Sequence, residues 1–93
     1  MKTITRIEKE AIRNLSFSKR EVLSSPEQKK QREAALHRSQ TLGNLLQTKV
    51  YLTFESADGT TYQVHTTVWA VGADFVVLKE GIYLPVSAIL EVD

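Results

Sequence analysis

Ninety-three residues, 42% of them hydrophobic and 25% charged, describe one small domain near the lower limit for a self-sufficient core. The absence of cysteine excludes disulfides and thiolate metal sites. The net charge of +1 conceals a split: residues 1–49 carry eleven Lys/Arg against five Glu, or +6, and residues 50–93 carry one Lys against six Asp/Glu, or −5.

Met1 to Leu15 contains no apolar core of the kind a secretory leader needs, and the apolar run Phe75–Leu78 is far too short to span a bilayer. The expectation is a soluble, cytoplasmic protein. Thr5-Arg6-Ile7-Glu8 fits a capping box that opens a first helix with Ile4, Ile7, Ala11 and Leu15 along one side. Ser16–Ser24 mixes Phe17, Val22 and Leu23 with hydroxyls and charge and reads as a linker. Residues 1–24 therefore form a basic helical arm and linker.

Ser25-Pro26-Glu27-Gln28 is the clearest local signal in this half. Ser25 suits the N-cap, Pro26 the first helical position, and Gln28 the closing position of a capping box. The spacing predicts a helix over about 26–42 that stops at Gly43-Asn44, within a segment 25–44. Its first turns are entirely polar, so packing is expected at its far end, through Ala35, Leu36 and Leu42.

Residues 45–93 hold most of the β-branched and aromatic side chains and read as a β-domain. Val50, Leu52 and Phe54 alternate with Tyr51, Thr53 and Glu55. A three-residue Ala57-Asp58-Gly59 loop pairs Phe54 with Tyr62, Leu52 with Val64, Val50 with Thr66 and Tyr51 with His65. A two-residue loop would set core against solvent along the whole hairpin, so the longer loop is selected. The next turn, at Gly72-Ala73-Asp74, sets Trp69 opposite either Val76 or Val77, on an outer face shared with His65 and Thr67. Phe75-Val76-Val77-Leu78 is apolar on both faces, which calls for cover on both. Lys79-Glu80-Gly81 turns into Ile82–Pro85, Val86-Ser87-Ala88 makes a helical turn, and Ile89–Val92 is the last strand. The pattern predicts a mainly β fold: a small five-stranded bent-sheet barrel with an N-terminal helical extension.

Leu42-Gly43-Asn44, Lys49-Val50, His65-Thr66-Thr67-Val68-Trp69-Ala70, Leu78-Lys79-x-Gly81 and Leu84-Pro85 together resemble a family of short, uncharacterised bacterial proteins. The resemblance covers roughly residues 42–92 and brings no activity with it. Phe75–Gly81 is also similar to the second motif of Sm-like barrels. The order of a helix and then five short strands resembles Sm-like and Src-homology-3-like folds generally, and this implies a small β-barrel.

Catalysis needs a nucleophile with a base, convergent acids or a metal set. His37 and His65 have no sequence-level partner, and the glycines serve turns or a helix end, so neither an enzyme nor a cofactor site is expected. Trp69, Tyr51, His65 and Tyr83, with Phe75, Val76 and Val77, are the candidate interface residues, because aromatic side chains concentrate at interfaces. The leading functional expectation is a non-enzymatic interaction module that self-associates or binds a protein partner. The alternative is nucleic-acid binding through Lys19, Arg20, Lys29, Lys30, Arg32 and Arg38 in the basic half.

Overall fold

The computed structural model describes residues 3–93. Its elements run β1 (Ile4–Arg6), a 3-10 turn (Lys9–Asn14), α1 (Pro26–Leu46), β2 (Val50–Glu55), β3 (Thr61–Thr66), β4 (Val68–Val71), β5 (Phe75–Leu78), a turn at Lys79–Gly81, β6 (Ile82–Pro85), a 3-10 turn at Val86–Ala88, and β7 (Ile89–Val92). The strands form two open sheets, in the orders β1-β3-β2-β7 and β4-β5-β6. With about 36% helix and 34% strand, the chain is mixed α/β, and the expected mainly β five-stranded barrel is not what forms.

Barrel closure needs an unbroken ring of pairing, and two features interrupt it. Thr66, Thr67 and Val68 are buried in succession, so inside-outside alternation fails where β3 passes into β4. Thr67 belongs to neither strand; its carbonyl instead accepts from the Lys79 amide at 2.9 Å. The Val86–Ala88 turn separates β6 from β7 in the same way. The remaining edge of β3 is taken by β1, which pairs with it in parallel through Ile4↔Thr61 and Arg6↔Gln63.

The N-terminal segment therefore corrects the expected helical arm. Thr5 lies within β1 rather than at a cap, and Ile4 points to solvent instead of joining a helical stripe. Ile12, only 2% exposed, is the residue that enters the core. Phe17 follows it inward, with its ring 5.9 Å from that of Phe54. Met1 and Lys2 of the expected arm lie outside the described residues.

The first hairpin has the expected register: Val50↔Thr66, Tyr51↔His65, Leu52↔Val64 and Phe54↔Tyr62. Its loop closes through Ser56 N to Thr60 O, with Gly59 at φ +85° in the left-handed region that favours glycine. Below it lie Leu52, Phe54, Val64, Val76, Leu78, Leu84 and Ile89, all essentially inaccessible.

Helix α1 begins as expected, with the Ser25 hydroxyl accepting from Gln28 N at 3.4 Å. It runs past Gly43, however, and ends at Leu46, where Gln47 takes the left-handed conformation. Gly43 is not a terminus; its missing side chain lets the helix pass close to β4. A Cβ at Gly43 would stand 2.5 Å from Val68 O and 2.9 Å from Thr67 Cγ2. The buried face is Arg32, Leu36, Ser39 and Gly43, a spacing of four, three and four residues. Leu42, expected to pack, is exposed.

Candidate interaction face

The strands β4, β5 and β6 read VWAV, FVVL and IYLP, so all twelve of their positions are without charge. Antiparallel alternation sends Val68, Val76, Leu78, Ile82 and Leu84 inward, where each is at most 1% exposed. The opposite face is then apolar by default. On it lie Trp69 (45% exposed), Phe75 (49%) and Tyr83 (62%), with Val77 between them opposite Tyr83. Phe75 and Tyr83 lean together, ring centroids 6.3 Å apart and tilted by 48°.

Trp69 reaches that face by a route that alternation does not give. The β4–β5 pairing runs Val68↔Leu78 and then Ala70↔Val77, leaving Trp69 without a partner in a bulge. It is opposite neither Val76 nor Val77, contrary to both expected registers. Trp69 and Ala70 are consequently exposed in succession.

The candidates expected to share one surface divide. Tyr51 and His65 lie on the β2–β3 hairpin, stacked at 4.1 Å and nearly parallel, with the Arg6 guanidinium 5.8 Å from the Tyr51 ring centre. They belong to the first sheet, whereas Trp69, Phe75, Val77 and Tyr83 belong to the second. Thr67, expected on the outer face, is buried. Val76 is wholly inaccessible, so it is a core residue and not part of a surface.

Helix α1 does not cover the β5–β6 face. It lies along the outer edge of β4 and against β7, with the Gln40 side chain accepting from the Val71 amide at 3.0 Å. On the other side, the Lys9–Asn14 turn packs against β6. The β4 edge is thus covered by α1, and the broad outer surface of the three-stranded sheet is not.

Beside Phe75 and Pro85 the surface sinks into a groove of about 830 Å³, whose far wall is the segment 17–21. That segment is held by the pair that closes the groove floor. Arg32 donates from Nη1 to Glu21 Oε2 at 2.7 Å and from Nη2 to Glu21 Oε1 at 2.5 Å. Nη1 also reaches Ile89 O at 3.0 Å, and Glu21 Oε2 accepts from Leu23 N at 2.9 Å. The guanidinium beside Glu21 holds its carboxyl below the ordinary glutamate value, against the opposing effect of burial. Nothing in the local sequence marked this pair, which links a linker residue to a helix residue eleven positions away.

Of the basic candidates, Arg32 is therefore committed to Glu21 and Ile89 and is not available to a phosphate. Arg20 lies 3.3 Å from Glu55. Lys19, Lys29, Lys30 and Arg38 are exposed, the last three along α1. Among the described residues no group of three or more His, Asp or Glu side chains is placed to hold a metal ion, and no helix is long and apolar enough to cross a membrane. No family model, curated protein or solved structure matches this chain.

Proposed function

We propose that this chain is a non-catalytic interaction module that self-associates through the outer face of β4–β5–β6. The observation that carries the reading is the charge-free composition of all three strands, with three large aromatic side chains left about half exposed on one surface. Charged residues are depleted and aromatic ones enriched at interface cores. A partner for this face must itself be uncharged and apolar, and a second copy of the chain supplies such a face without like-charge repulsion.

The test is sedimentation equilibrium on the wild type and on Tyr83→Lys. Tyr83 is well exposed and points away from the core, so a lysine there leaves the fold intact while placing a charge in the contact. The expected result is a dimer or larger assembly for the wild type and a shift toward monomer for the variant, with unchanged circular dichroism. A wild type that remains monomeric up to millimolar concentration overturns the reading.

A further inference from the structure

We infer that the C-terminal end of α1 docks on an anionic lipid surface, into which Leu42, Leu45 and Leu46 insert. This contact is independent of the self-association face on β4, β5 and β6. Among the described residues Leu45 and Leu46 are the most exposed large hydrophobic side chains, at 75% and 71%, and Leu42 adds a third at 36%.

The helix cannot turn to hide them. Its rotation is set by the buried line Arg32, Leu36, Ser39 and Gly43, by the Gly43 backbone against Val68 O, and by the bond from the Val71 amide to Gln40. Leu42 and Leu45 fall off that line. Spacings of four and then three residues place Arg38, Leu42 and Leu45 on one exposed stripe. Leu46 is the last helical residue, and the left-handed turn at Gln47 leads the chain toward exposed Lys49 and β2. The leucines therefore form an apolar helix end with a cation on either side in sequence.

Charge and area together select the partner. Residues 34–54 contain no Asp or Glu. Neither Arg38 nor Lys49 has an acidic partner among the described residues. A second copy fits this end poorly. An antiparallel contact that sets Leu42 against Leu45 of the other copy also sets Arg38 against its Lys49. One that sets the leucines against Ala34 and Ala35 brings the two Arg38 side chains together. Both oppose like charges with no acid between them. The three leucines expose on the order of 300 Å², well short of the roughly 800 Å² that each partner gives to a stable protein interface. A lipid surface sets no such minimum. Binding there scales with the apolar area inserted plus the attraction of Lys and Arg to anionic headgroups, and this end supplies both.

Vesicle flotation of the full chain tests the assignment, with phosphatidylcholine alone and with an equal mixture of phosphatidylcholine and phosphatidylserine. The wild type is expected to bind the mixed vesicles more strongly than the neutral ones, and less as salt rises. Leu45→Ser combined with Leu46→Ser, both outside the core, is expected to weaken that binding at least about tenfold. Arg38→Gln is expected to weaken it about fivefold on the mixed vesicles and to leave binding to neutral vesicles unchanged. A wild type that stays off the mixed vesicles at low salt, or binding that survives the leucine substitutions, overturns the assignment. Self-association that the leucine substitutions abolish and Tyr83→Lys leaves intact also overturns it, and gives the helix end to a second copy.

Discussion

Gly43 of α1 and Val68 of β4 meet backbone to backbone, closer than any side chain would allow. A Cβ at position 43 would lie 2.5 Å from the Val68 carbonyl oxygen. Alanine is about 1 kcal/mol better than glycine in a helix interior, so propensity alone favours Gly43→Ala. The clash outweighs it, because the obstacle is strand backbone and cannot rotate away. Overpacking of this kind costs about 1–3 kcal/mol. Gly43→Ala is therefore expected to lower the thermal midpoint by several degrees, at about 4–8 °C per kcal/mol for a domain of this size. A melt at or above the wild-type midpoint would show that the helix can lift off β4 at no cost.

The Glu21–Arg32 pair makes a second prediction, with a defined direction in pH. Arg32 is 8% exposed, and its charge is met by Glu21 and the Ile89 carbonyl. Removing one partner of a buried pair costs about 3–5 kcal/mol, because the other charge is left uncompensated. Glu21 retains partial exposure, so Glu21→Gln is expected toward the lower end of that range. The folded carboxyl titrates below its unfolded value. Its stabilisation is thus fully present above the unfolded glutamate value of about 4.3 and is lost as the pH falls through the folded one. Urea titrations between pH 3 and 7 should show a steeper acid decline for the wild type than for Glu21→Gln. Parallel curves would assign the acid sensitivity elsewhere.

How much of this was legible beforehand depends on the range of the signal. The β2–β3 register follows from alternation and one glycine, both local, and it was readable residue by residue. The start of α1 was local too, through Ser25 and Pro26. Its end was not: Gly43 looks like a terminus unless Val68 is known to lie against it. The closed barrel failed for a similar reason. Strand count and turn spacing are the same for a closed ring and for two sheets that part at Thr67, and only tertiary pairing decides. Trp69 reads as a surface aromatic, but the break at Thr67 that puts it on a different sheet from Tyr51 and His65 leaves no trace in a period-two pattern. Phe17 was the one visible hint of the groove wall, an isolated aromatic in a segment otherwise read as linker.

Ile12 and Phe17 determine how firmly the N-terminal segment is held. A basic arm held by exposed ion pairs would detach at rising salt, since such pairs contribute only about 0–1 kcal/mol each. Ile12 is instead a core residue, and Phe17 packs on Phe54. Ile12→Ala is expected to cost about 2–5 kcal/mol, as for other buried large-to-small changes. Tryptic cleavage at Lys19 or Arg20 should then follow global unfolding and respond little to salt. Rapid cleavage at those sites in a protein whose C-terminal strands remain protected from amide exchange would contradict this.

The contrast between Val76 and Trp69 separates folding from association in one pair of variants. Val76 faces the core and is wholly inaccessible, so Val76→Ala should lower stability by roughly 2 kcal/mol, from two buried carbons and the space they leave. It should leave the dissociation constant of the assembly unchanged. Trp69 is the chain's sole tryptophan, about half exposed in the β4 bulge. Trp69→Ala should weaken association while moving the thermal midpoint little in dilute protein. In the wild type, Trp69 emission should shift to shorter wavelength, and acrylamide quenching should fall, as concentration rises through the association range. Emission that stays constant while sedimentation records dimer formation would place the interface away from Trp69.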